Sequence, residues 1–225
     1  MQVEFGGSVA FTYVMGGLAR EIADPIAAAR AWLEAGARSG MPVDPRLWLD
    51  GPPASTYPAC LAVEAASEQR DPGPYLRRLR EGFALRGRKL DTTEALVEEA
   101  RATPGLDVER FRIDLASNAI VELFGADLER LRARELSVPA IELGDVVLSG
   151  YVSYDELRAA ALAAGAEPDG AGPPTVEEAL RRFGGMTAAE VAAVCALPGP
   201  RAPAELWTLV SEWRAREDHG LFAPA

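Results

Sequence analysis

Cysteine, histidine, long apolar runs and basic charge are all scarce in this chain of 225 residues. It carries two cysteines, Cys60 and Cys195, and one histidine, His219. No zinc-ligand set of the C-x-x-C or H-E-x-x-H kind can be assembled from them, so no metal is expected. A Ser-His-Asp or Cys-His centre would have to recruit His219 from the last seven residues, where chain ends fray. A phosphate-binding G-x-x-x-x-G-K-[ST] loop is missing too, and the pairs Gly16-Gly17 and Gly184-Gly185 read as turns or helix caps. No apolar run reaches the ~20 residues of a membrane helix, and the start MQVEFGGSVAFTY lacks the basic end and apolar stretch of a signal peptide. A cytoplasmic location and no membrane partner are therefore expected. With 23 basic against 34 acidic residues the net charge is -11, which repels phosphate backbones, so no nucleic-acid partner is expected either.

What is present is a globular composition. At 48% hydrophobic and 25% charged residues the chain can bury enough apolar surface to repay the entropy of ordering. Val9 to Met15, rich in β-branched and aromatic residues and closed by Gly16-Gly17, predicts a strand. From Pro25 the spacing of Ile26, Ala29, Trp32, Leu33 and Ala37 predicts a helix, with Asp24 as its cap. Residues 41–58 hold five prolines and predict an ordered loop, since Leu47, Trp48 and Leu49 are too apolar to leave in water.

From Ala59 to about Leu136 everything reads helical. Helices are expected over Ala59–Gln69 and Pro74–Leu85, from a cap at Asp91 to Thr103, and over Asp107–Arg134 with a break at Ser117-Asn118. Their apolar stripes against charged faces make a bundle. The period then changes. Val138 to Leu143 and Val146 to Leu148 flank Gly144-Asp145, a short hairpin, and Ser153 with Glu156 is a capping box that opens a further helix. A Gly/Pro-rich linker, Gly165 to Pro174, leads to two more capping boxes, Thr175 with Glu178 and Thr187 with Glu190, and to a helix from Pro203. These predict a small helix-turn-helix or winged-helix-like unit. From Ala166 onward it has nine acidic and five basic residues, whereas a groove reader should be basic, so packing or partner binding is favoured over DNA binding.

Strand, helix, long helical insertion, X-Pro strand, hairpin and closing helix is the order of a thioredoxin fold with a helical domain inserted. The segments Phe11–Leu18, Trp48–Val63, Tyr75–Arg80 and Ser137-Val138-Pro139 resemble the DsbA-like thiol-disulfide oxidoreductases, and more narrowly a bacterial branch that includes adapters for a cytoplasmic protease. Hydroxychromene-carboxylate isomerases and kappa-class glutathione transferases share the layout. The implied fold class is α/β, a thioredoxin-like sheet with an inserted helical domain and a C-terminal helical extension. The expected division is residues 1–50 and 137–165 for the thioredoxin-like part, 51–136 for the insertion and 166–225 for the extension.

The resemblance implies a cis Val138–Pro139 bond, with Val138 pairing an extended substrate peptide beside Pro139. It also implies that the family's first strand and its C-x-x-C or C-x-x-S motif lie ahead of Met1, roughly thirty residues if strand, turn and helix have typical lengths. Met1 to Gly7 would be the end of the following helix. The absent strand would leave a gap in the middle of the sheet, and an unpaired sheet region offers a route to a homodimer. The 225 residues alone are then expected to be catalytically silent. Cys60 reads in two ways, as a substitute nucleophile at a helix start or as a buried helix residue sharing a face with Val63, Glu64 and Ser67. Cys195 reads as core, and Trp32, Trp48, Trp207 and Trp213 as packing residues. Three functions follow from the resemblance: a thiol-disulfide oxidoreductase acting on protein or small-thiol substrates, a non-catalytic partner-binding adapter, or a glutathione-dependent isomerase or transferase. Only the last implies glutathione as a cofactor; no other cofactor is expected.

Overall fold

The computed structural model describes residues 1–225. Helices and short strands alternate in the order α1 (Gln2–Phe5), α2 (Pro25–Ser39), α3 (Arg46–Asp50), α4 (Tyr57–Ser67), α5 (Gly73–Ala84), α6 (Thr93–Arg101), α7 (Val108–Leu115), α8 (Asn118–Ala133), β1 (Ala140–Leu143), β2 (Val146–Ser149), α9 (Tyr154–Ala163), α10 (Val176–Phe183), β3 (Met186–Thr187), α11 (Ala188–Val194), α12 (Arg201–Ser211), β4 (Ala215–Asp218) and β5 (Leu221–Pro224). No helix is long and apolar enough to cross a membrane. By contacts the chain forms two compact units. The larger holds Phe11–Trp32 and Asp44–Ala160, the smaller Met1–Ala10, Leu33–Val43 and Ala161–Ala225. The helical insertion and the hairpin thus fall in one unit, a grouping that differs from the three-part division expected from the sequence.

The core of the larger unit is the helical bundle. α4 contributes Ala62, Val63, Ala65 and Ala66, small residues that let α5, α6, α7 and α8 approach it closely, and Leu79, Leu96, Phe111, Ile120 and Phe124 fill the space between. Tyr75 is buried at its centre, its ring edge-on to Phe111 and its hydroxyl donating to the carbonyl of Leu96 at 2.9 Å. Glu99 is fully buried and is held by two guanidinium groups, Arg78 at 2.8 Å and Arg88 at 3.1 Å. A buried carboxylate needs such partners to stay charged. Several expected boundaries are met: Asp24 caps α2 by accepting from Ala27, Asp107 caps α7 and Ser117 caps α8. Others shift. Thr92 caps α6 instead of Asp91, whose carboxylate accepts the amide of Ala54. The proline-rich stretch contains the five-residue α3, because Pro42, Pro45, Pro52 and Pro53 all lie outside it, and Leu47 and Trp48 are buried as expected whereas Leu49 is exposed. Trp48 packs edge-on against Trp32, ring centroids 5.1 Å apart.

The one sheet in this unit is the hairpin β1–β2, antiparallel, turning at Gly144 with φ 57°. Val9 to Met15 is not a strand. It runs without helix or strand assignment, since no neighbouring segment offers it a ladder of amide and carbonyl groups.

In the smaller unit α10, β3, α11, α12, β4 and β5 follow one another with sheet order β3-β5-β4, the arrangement of a helix-turn-helix closed by a hairpin wing. Both capping boxes are formed, at Thr175 with Glu178 and at Thr187 with Glu190. Val191, Leu206 and Phe222 are at the core, and Cys195 joins them as expected. The last helix begins at Arg201 instead of Pro203, and two strands, β4 and β5, follow it. Trp213 is not a packing residue: it is 87% exposed with φ 59°, and Trp207 is 53% exposed. The linker after Gly165 is anchored at its start, where Ser8 bridges to the carbonyl and amide of Glu167 and Asp169 accepts from Gly7.

Candidate functional site

The site is built where the extended segment Phe11–Gly17 meets α4, α8 and the entry to β1, all in the larger unit. The segment is fixed by side chains where a ladder is missing. Its Met15 amide donates to Asp127 on α8, and just beyond it Ala19 donates to the Thr56 hydroxyl at 2.9 Å while Thr56 and Ser55 donate back to the Ala19 carbonyl. Gly16 and Gly17 are neither a turn nor a helix cap, as the pair was read from the sequence. They are points of close approach. A Cβ on Gly16 would stand 2.6 Å from Cγ1 of Val138, and one on Gly17, at φ 53°, would strike Phe124 and Tyr57.

The Val138–Pro139 peptide is cis. Pro139 is exposed, Val138 is half-buried against Gly16, and the Pro139 carbonyl accepts the Gly150 amide at 2.8 Å, which seats the hairpin. Glu142 of β1 reaches back to α8, pairing with Arg130 and Arg134 at 2.7 Å each. β1 bonds to β2 on one side only, so the amides and carbonyls of its other edge lack a strand partner. Exposed apolar side chains occur on and after the Phe11–Gly17 segment, at Phe11 and Leu18, and on the hairpin and just after it, at Ile141, Val147 and Tyr151.

Cys60 lies in the first turn of α4, half-buried and bonded to the Gly17 amide, while the adjacent Gly16 abuts Val138. Its sulfur receives the Gly17 amide, which favours a thiolate, but burial outweighs this and the carboxyl groups of Glu64 and Asp127 act in the same direction as burial; the thiol is pushed up. A nucleophilic cysteine needs the opposite shift. Cys195 is pushed up as well, by burial and then by Glu205. Both cysteines are free. No group of His, Cys, Asp and Glu side chains is arranged to hold a metal ion.

One feature of the site was not found from the sequence. Glu64, one turn beyond Cys60 on α4, is hydrogen-bonded to Asp127 of α8. Burial, then the Asp127 carboxylate, then Glu68 push Glu64 up to about 7. Only Glu64 was visible beforehand, as a neighbour of Cys60 on a helix face. Asp127 is 63 positions away in a different helix, and no local pattern joins the two.

The family model described as Thioredoxin matches residues 1–141. The chain belongs to the thioredoxin family. Within that family it is similar to the ClpXP adapter protein SpxH of Halalkalibacterium halodurans, 28% identical over 196 residues that make 81% of this chain and 63% of that protein. It is similar also to SpxH of Shouchella clausii, 31% identical over 68% of this chain and 55% of that protein, and of Bacillus subtilis, 34% identical over 49% and 38%. The chain thus spans less than two thirds of the length of these curated relatives. Among solved structures, a chain described as a "putative protein disulfide isomerase" from Nitrosomonas europaea superposes with a TM-score of 0.56, covering 75% of this chain and 80% of that one at 19% identity. That likeness shows the thioredoxin-like fold, helix-rich and α/β, and nothing finer.

Proposed function

We propose that this thioredoxin-family chain is a partner-binding adapter that holds an extended segment of a protein along the free edge of β1, next to Val138 and Pro139. The observation that carries the reading is the one-sided pairing of β1 in an apolar surround. A peptide laid there in strand conformation would supply the missing hydrogen bonds and cover Ile141, with Val138 at the start of the pairing register. The elevated thiols of Cys60 and Cys195 weigh against exchange chemistry carried by these two side chains. The SpxH relatives are described as ClpXP adapter proteins, which supports an adapter role and with it a cytoplasmic one. The same edge would serve a homodimer when no partner is present.

The test compares three versions of the protein in its own host after deletion of the gene. Protein half-lives are measured with and without ClpP, and the deletion is expected to lengthen the half-life of at least one ClpP substrate. Wild type and the Cys60→Ser, Cys195→Ser double variant should both restore degradation, whereas Ile141→Asp should not. The competing reading is thiol-disulfide exchange with a nucleophile outside these 225 residues; insulin reduction by the host's native protein and a loss of function unrelated to ClpP would overturn the adapter role. Micromolar glutathione binding would instead point to the transferase or isomerase branch.

A further inference from the structure

The Phe11–Gly17 segment is held to the bundle through the amides of Met15 and Gly17, and the first of these bonds ends on a carboxyl pair. Met15 donates its amide to Oδ2 of Asp127, Asp127 is hydrogen-bonded to Glu64, and one residue further along Gly16 abuts Val138 while the Gly17 amide reaches the Cys60 sulfur. Two carboxyl groups can hydrogen-bond to each other only while one of them carries a proton. With the proton on the pair, a Glu64 hydroxyl donates to Asp127 and leaves Asp127 a single orientation, with Oδ2 toward Met15. Without it the two carboxylates repel at contact distance in a half-buried place.

The charged neighbours that act on Glu64 are acidic, and Arg130, three residues beyond Asp127 on α8, is engaged with Glu142 of β1. From α4 itself Glu68 faces Glu64, and Cys60 lies one turn away. α7 brings Asp114 to the Glu68 end, where it is paired with Arg110, and both Glu68 and Asp114 line the same surface pocket of about 410 Å³. α5 and α6 keep Arg78 and Glu99 in a pair with each other, and on the extended segment Tyr13 lies beside Arg80 of α5.

We propose that Glu64 and Asp127 form a proton-operated latch on the Met15–Gly17 segment, closed while the pair shares one proton and released when the proton leaves. Release loosens the two contacts that follow Met15 in the chain, Gly16 on Val138 and Gly17 on Cys60, so the latch controls access to Cys60 and the seating of Val138. The latch belongs to the bundle and does not depend on the adapter role.

The test is amide hydrogen exchange by NMR on the full chain, from about pH 5.5 to about pH 8.5, with the intrinsic pH dependence of exchange removed. Met15 and Gly17 are expected to lose protection in one step centred near 7, by about tenfold for the loss of one charge-assisted hydrogen bond. Val63, in the middle of α4, should stay flat. Glu64→Gln, whose amide donates to Asp127 at every pH, should hold Met15 and Gly17 protected throughout. A flat wild-type profile, or a step that survives in Glu64→Gln, overturns the latch. Should Glu64→Gln fail to fold, the carbon-13 shift of the Glu64 side-chain carboxyl in the wild type decides: a step near 7 supports it, and a titration completed in the ordinary carboxylate range overturns it.

Discussion

Burial decides the chemistry of individual side chains here. Cys60 sits at a helix start, where an amide reaches its sulfur, yet it is a poor nucleophile because desolvation and two carboxyl groups act against the thiolate. Reaction with an aromatic disulfide reagent should therefore be slow at neutral pH in the folded chain, and should speed up only at pH above the range of an ordinary thiol; a fast phase at neutral pH from Cys60 would contradict this. Glu64 gives a second expectation. Its value in an unfolded chain is near the ordinary 4.5 and in the folded chain about 7, so between these the folded state binds more protons than the unfolded one. Stability should fall as pH rises from about 4.5 to about 7 and level off above, and Glu64→Gln should remove that slope; denaturant midpoints across this window measure it. Cys60 was legible as a candidate from its place in the sequence, and its burial was anticipated as one of two readings. Its inertness follows from Asp127 as well as from Glu64, and a partner on another helix leaves no mark near Cys60 in the chain.

At the scale of elements, local chemistry wrote most helix starts into the sequence. The boxes at Thr175, Thr187 and Ser153 were readable because cap and acceptor stand three residues apart, within one turn. Thr187 is also buried, whereas the Thr175 cap bonds are exposed to water. Replacing either threonine by alanine should cost about 0.5–2 kcal/mol, with Thr187→Ala toward the upper end, as read from denaturant melts. The strands were less legible for a physical reason: a strand exists only with a partner. Val9 to Met15 has the composition of a strand and lacks a ladder, so it stays extended and unpaired; Ala215–Asp218, with only Ala215 buried, gave no alternating signal and becomes a strand by pairing with Leu221–Pro224. Gly16 makes the same point. Its role comes from Val138, 122 positions on, and Gly16→Ala should cost about 1–3 kcal/mol by forcing Val138 aside.

The whole molecule has two separate cores, one around α4 and one around α12. The family resemblance and the thioredoxin-like layout were legible from the order of elements, while the grouping of residues 1–10 and 33–43 with the C-terminal region was not, because it rests on contacts between distant segments such as Ser8 with Glu167 and Thr187 with Met41. Leu206, fully buried, tests the separation: Leu206→Ala should remove about 2–5 kcal/mol from the smaller core. Exchange should quicken at amides of α10 to α12 and stay unchanged in α4 and α8; equal loss in both would mean one cooperative unit. The four tryptophans make this visible without labels. Trp32 and Trp48 are in edge contact within the larger unit, Trp48 buried, whereas Trp207 and Trp213 of the smaller unit face water. Emission at the blue side of the intrinsic fluorescence band therefore reports on the bundle and emission at the red side on the wing-bearing unit, so one spectrum, resolved by wavelength, follows the melting of each.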